Sequence, residues 1–120
     1  MEVLSIEAFK NKIFNFEQSK DWQFKGTRPT IIDFYADWCG PCRALVPILD
    51  EVATKYNCIV DVYKVDTEAT PELAALFGVR GIPALLFIPM QGEPAMSSGV
   101  MPVESFDQAI KELFDIDKKQ

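Results

Sequence analysis

Histidine is missing from this 120-residue chain, and cysteine occurs only three times. A structural zinc site takes four ligands, so a mononuclear one here would need a carboxylate or a second chain to complete it. So few cysteines, none of them a widely spaced pair, also argue against a small scaffold stapled by disulfides. Long apolar runs are absent: nothing approaches the roughly 20 residues of a membrane span. The N-terminus lacks the basic stretch followed by an apolar one that marks a secretory leader. As written, the chain is expected in the cytoplasm, although a mature form from which a leader had been cut would read the same way. Positive charge is in deficit, 12 Lys and Arg against 18 Asp and Glu for a net charge of −6, which disfavours nucleic acid and anionic membrane as partners. A glycine-rich nucleotide loop is lacking, and no metal or organic cofactor is implied. Without repeats, low-complexity tracts or a long linker, and with 48% hydrophobic residues, residues 1–120 are expected to form one domain around one core.

What is present is concentrated in Trp38-Cys39-Gly40-Pro41-Cys42. Positions i and i+3 of a helix lie about 5–6 Å apart, within the roughly 4.4–6.8 Å that a disulfide needs between Cα atoms. The pair can open and close with little backbone movement, which points to thiol–disulfide chemistry. The preceding run, Thr30 to Ala36, is apolar, β-branched and aromatic, as expected of a strand buried on both faces. After it, Leu45, Ile48, Leu49, Val52 and Tyr56 recur at helical spacing, so Cys39 falls at or just before a helix N-terminus. Unpaired N–H groups and the helix dipole favour an anion there. Cys39 is thus expected to be the exposed thiolate nucleophile, and Cys42, one turn in, the more buried sulfur that acts second. The bland alternatives are half of a zinc site and a merely structural bridge, which would constrain the unfolded chain weakly because its loop is so small.

Along the rest of the chain, Val3 to Ile6 is a candidate first strand, and Ile6, Phe9, Ile13 and Phe16 mark a helix face overlapping or following it. Glu17 to Pro29 is polar and reads as a connection, interrupted by Trp22 and Phe24, which close the core rim or form a partner-binding patch. Ile59 to Val65 alternates as a third strand. Thr70 and Pro71 open a short helix with Leu73, Leu76 and Phe77 on its buried face, ended by Gly78. Ala84 to Ile88 is an apolar strand, Gln91-Gly92-Glu93 a turn, Pro94 to Val100 an edge strand. Val103, Phe106, Ile110, Leu113 and Phe114 mark the last helix. The order β-α-β-α-β-α-β-β-α fits an α/β sheet covered by helices on both faces. Cys58, between helix and strand with no cysteine at useful spacing, reads as a buried inert thiol, or else as an oxidation-sensitive one.

On these residues the chain resembles the thioredoxin family over nearly its whole length. Trp38-Cys39-Gly40-Pro41-Cys42 is similar to the family's active site, Asp33 to its buried acid, Lys64 to that acid's lysine neighbour, and Gly81-Ile82-Pro83 to its cis-proline loop. Pro47 matches the proline of the active-site helix and Gly99 the glycine beside the substrate groove. The resemblance implies the thioredoxin fold, a central mixed sheet with helices on both faces, in a monomeric protein-disulfide reductase. It implies disulfide-containing protein substrates and a separate reductase that supplies electrons.

Asp33 in an apolar strand is expensive to ionise, and the resemblance makes it the general base for Cys42; the alternative is an acid on a solvent-facing pleat. Lys64 would tune Asp33 or simply snorkel to water. A cis Ile82-Pro83 bond would free the Ile82 backbone to pair with an extended peptide, whereas a trans proline would merely open the strand. Trp38, Gly40 and Pro41 would shield the dithiol and help seat substrates. Three departures stand out: Tyr35 where many members carry a second tryptophan, a longer turn around Pro89 to Gly92, and an extended segment from Phe14 to Arg28. They bear on which substrates and which reductase dock. A dithiol oxidase or isomerase outside the cytoplasm would share the fold, but Gly40-Pro41 lacks the histidine common in oxidising versions. A non-catalytic accessory subunit would not need an intact dithiol.

Overall fold

Thr30–Tyr35 forms the strand on which the sheet is assembled, and all but its last residue are buried. The computed structural model describes residues 1–117; the final three residues of the expected 1–120 domain lie outside the described residues. In chain order the elements are β1 (Glu2–Val3), α1 (Ile6–Lys12), β2 (Thr30–Tyr35), α2 (Gly40–Lys55), β3 (Asp61–Asp66), α3 (Pro71–Leu76), β4 (Ala84–Ile88), β5 (Ala95–Ser98) and α4 (Val103–Phe114). The strands lie in the order β1-β3-β2-β4-β5. β1 and β2 flank β3 in parallel, while β4 runs antiparallel to both β2 and β5.

Side chains alternate across a strand, and the two sheet faces divide accordingly. Ile32 and Phe34 of β2, with Ala84, Leu86 and Ile88 of β4, join Phe9 of α1 and Leu73 of α3 in one core cluster. Ile31, Leu85 and Phe87 face the other way and meet Leu45, Leu49 and Val52 of α2 and Phe106, Ile110 and Phe114 of α4. The expected sheet covered on both faces is the one observed. Among the described residues no helix is long and apolar enough to cross a membrane.

Several boundaries differ from the sequence expectation, each for a local reason. The first strand stops at Val3 because the Ser5 hydroxyl accepts the Ala8 N–H at 3.0 Å and starts α1 at Ile6. α1 ends at Lys12, yet Ile13 and Phe14 stay buried beyond it. β3 begins at Asp61 and not at Ile59, since the Tyr56 carbonyl accepts the N–H groups of both Ile59 and Val60 at 2.9 Å. β5 ends at Ser98, where Gly99 turns to φ +88°. Trp22 stacks on Phe24 at 6.3 Å and meets Phe77 edge-on at 6.0 Å, so the extended segment closes the core rim. Cys58 corrects the expectation of a buried thiol. It is exposed, because the turn after α2 sends Tyr56 and Val60 inward and leaves Cys58 at φ +68° pointing out of that reversal.

The far end of α2 is anchored to α4. The Tyr56 hydroxyl donates to Asp107 at 2.6 Å and Lys55 pairs with the same carboxylate at 2.7 Å. Burial and Asp107 push the phenol's pKa up, so the O–H remains a donor at any ordinary pH. Tyr56→Phe should therefore lower stability by about 1–2 kcal/mol, measured by urea denaturation of the oxidised protein; an unchanged midpoint would show that the bond anchors nothing.

Candidate active site

The C-terminal end of β2 delivers the chain to the N-terminus of α2. Cys39 is the N-cap of that helix, in extended conformation at φ −88°, ψ 110°, and Pro41 occupies its first turn, where the missing N–H has no intrahelical partner to lose. Cys39 and Cys42 form a disulfide with their Cα atoms 5.2 Å apart, which replaces the half-zinc-site alternative. Among the described residues no cluster of three or more potential ligands could hold a metal ion. The Cys42 N–H donates to Cys39 Sγ at 3.2 Å, so the helix end directs a donor at the first sulfur. Pro47 sits inside α2 and removes the bond its N–H would have made to the Arg43 carbonyl.

Accessibility does not separate the two sulfurs as the sequence suggests. Cys39 is 4% exposed and Cys42 3%, because Ala36, Tyr35 and Ile82 pack around the bridge. The distinction between them is one of position, N-cap against first turn.

Antiparallel pairing of Phe34 with Ala84 sets the start of β4 beside the end of β2, bringing Gly81, Ile82 and Pro83 to the dithiol. The Ile82-Pro83 peptide is cis, and the Ile82 carbonyl oxygen lies 3.9 Å from Cys39 Sγ. The Gly99 N–H donates to the Pro83 carbonyl at 2.9 Å, so Gly99 joins the same rim. Trp38 is 68% exposed, and its indole N–H donates to Glu68 at 3.3 Å. An open groove runs between Trp38, Thr67, Val79 and Ile82. Glu68 and Val79 border the site and were missed in the sequence; neither lies in a motif, and Glu68 enters through its bond to Trp38 and Val79 through the groove it lines with Trp38 and Ile82.

Asp33 lies mid-strand, fully buried, on the α2 side of the sheet with Ile31. Neither carboxyl oxygen has a protein hydrogen-bond partner. Lys64 stands opposite it in the β2–β3 register, but its ammonium rests 4.2 Å from the Tyr35 ring centroid. Burial pushes the Asp33 carboxyl up from 3.8 to about 6, the Lys64 charge opposing this without cancelling it.

A thioredoxin family model matches residues 4–112. The chain belongs to the thioredoxin family. It is 43% identical to a thioredoxin of Borreliella burgdorferi, over 92% of this chain and 95% of that protein. It is 31% identical to chloroplastic thioredoxin Y of Oryza sativa subsp. japonica, over 96% of this chain and 67% of the relative. The crystal structure of chloroplastic thioredoxin z superposes with a TM-score of 0.78 at 25% identity, covering 94% of this chain and 93% of that one. As a member of this family with its cysteine pair at bonding distance, the protein is a protein-disulfide oxidoreductase.

Asp33 makes the stability of this protein depend on pH. The folded chain holds the proton up to about pH 6, the unfolded chain only to 3.8. The site is therefore most favourable below the lower value, and its contribution is lost as the pH rises through the upper one. Two pH units correspond to about 3 kcal/mol. Asp33→Asn should gain about 2–3 kcal/mol over the native protein between pH 4 and pH 8, followed by urea unfolding of the oxidised forms. A difference that stays flat with pH would show that Asp33 is not a buried acid.

Proposed function

We propose that the protein reduces disulfides in other proteins, with Cys39 as nucleophile and Cys42 as the resolving thiol. The observation that carries this reading is Cys39 Sγ at the N-cap of α2, accepting the Cys42 N–H, where the dipole and free N–H groups stabilise a thiolate. The Cys39 thiolate attacks one sulfur of a substrate disulfide, forming a mixed disulfide and expelling the other sulfur as a thiolate that takes up a proton. Cys42 then loses its proton to the Asp33 carboxylate and attacks Cys39 Sγ. The bond from Cys39 to substrate breaks, the second substrate thiol leaves, and the Cys39–Cys42 bridge remains, two electrons having passed to the substrate. A separate reductase returns them.

The substrate is an extended segment seated against Trp38, Gly40 and Pro41 on one side and Gly81, Ile82, Pro83 and Gly99 on the other. Backbone at such a rim offers pairing to a peptide irrespective of its side chains, which suits a broad range of proteins. Lys64 acts with Asp33, its charge restraining how far burial raises the carboxyl. The proposed compartment is the cytoplasm, where dithiols are kept reduced.

Cys42→Ser should accumulate mixed disulfides through Cys39, identified by mass spectrometry; substrates trapped instead on Cys42 in Cys39→Ser would reverse the order of attack. The purified protein should also reduce insulin in the presence of dithiothreitol. Gly40 and Pro41 carry no charged or donating side chain to stabilise the thiolate further. Glutathione buffers should accordingly poise the pair near the family's reference potential of roughly −270 mV. A value near the roughly −120 mV of a strong oxidase would favour disulfide formation outside the cytoplasm.

A further inference from the structure

Tyr35 closes β2 and touches both halves of the chemistry. Its side chain packs against Ala36, Cys39 and Cys42, and its ring lies 4.2 Å from the Lys64 ammonium. Tyr35 and Asp33, two positions apart on one strand, point to the same face of the sheet. Lys64 is directly opposite Asp33 in register, so a flexible lysine has two seats within reach, the carboxylate and the aromatic face. It occupies the aromatic one. Asp33 consequently has no hydrogen-bond partner among protein groups.

We propose that Tyr35 is a positioning residue, whose ring holds the Lys64 ammonium short of an ion pair with Asp33 and so leaves Asp33 an unpaired acid on the strand that leads to the dithiol. The attraction between a cation and an aromatic face strengthens as water is excluded, and Lys64 is only partly exposed. An ammonium that closed on Asp33 would hold it as a carboxylate and weaken it as a proton acceptor. The other charged groups around this pocket are engaged elsewhere or stand off. Arg43 of α2 donates to the Asp37 carbonyl at 2.8 Å, and the Asp66 carboxylate of β3 accepts the Glu68 and Ala69 N–H groups at 2.9 and 3.3 Å. Burial, and then the charges of Asp66, of Asp37 in the loop after β2 and of Asp33, push the Tyr35 phenol's pKa up. From α2, Cys42 is the titratable group when reduced, and β4 presents Leu85 opposite Asp33. Lys64 is thus the cation whose position matters, and Tyr35 decides that position.

The inference rests on Asp33 serving as the proton relay, and the test separates the two ideas. Titration of the Asp33 carboxyl is followed by carbon-13 NMR in the oxidised protein, for Tyr35→Phe and Tyr35→Leu, each with Lys64 intact and with Lys64→Gln. Tyr35→Phe should titrate like the native protein. Tyr35→Leu should titrate lower by about one pH unit or more as Lys64 closes on the carboxylate, and the fall should vanish in the Lys64→Gln background. Tyr35→Met, which fills the same space with a flexible chain, repeats the test should the leucine variant fold poorly. An unchanged midpoint, or an equal fall without Lys64, would overturn the proposal. The pH profile of mixed-disulfide resolution, by stopped flow, should move with the NMR midpoint. If the midpoint falls as expected and the profile stays still, Tyr35 positions Lys64 as proposed and it is the relay role of Asp33 that fails.

Discussion

Everything in this protein is arranged around a strand that has no wet face. β2 is central, flanked by β3 and β4 and covered above and below, so its residues must be apolar or be tolerated at a cost. Ile31, Ile32 and Phe34 meet that constraint and knit the two core clusters across the sheet. Asp33 breaks it. A carboxyl held in such a place without a donor binds its proton more tightly than it would in water. The same burial that stabilises the sheet thereby keeps an acid with a raised pKa on the strand that leads to the dithiol.

The cysteine pair depends on the same framework at one remove. α2 is fixed along its length by Leu45, Leu49 and Val52 and at its far end by Tyr56 and Asp107. Its first turn is therefore held at the end of β2 by contacts that do not involve the sulfurs. The antiparallel turn of β4 against β2 brings Ile82 and Pro83 to the other side of that turn. Three segments distant in sequence, the ends of β2, β4 and β5, converge on one rim because strand pairing leaves them no other place.

Much of this was legible before the structure. The order of elements follows from hydrophobic periodicity, and the site from Cys39 and Cys42 standing where strand gives way to helix; Asp33 is conspicuous because it interrupts an apolar run. What escaped the sequence was set by contacts between distant positions. Cys58 looked like a core thiol because the two-residue reversal after Tyr56 leaves no pattern in composition. The equal burial of Cys39 and Cys42 arises from Ala36, Tyr35 and Ile82 together, and no local spacing connects the last of these to the cysteines. Lys64 could be matched to Asp33 through the family resemblance, but its turning to the Tyr35 ring depends on geometry across two strands.

The edges of the sheet carry a consequence of their own. β1 is two residues long and β5 four, the latter bounded by Pro94 and by Gly99 at positive φ. An unpaired strand edge is a template for indiscriminate addition of other chains, and short edges bounded by proline or turns are how proteins suppress it. A protein-disulfide oxidoreductase, whose chemistry brings it against other chains, is exposed to that hazard more than most. Cropping both borders leaves little unpaired backbone at either edge of the sheet for another chain to extend.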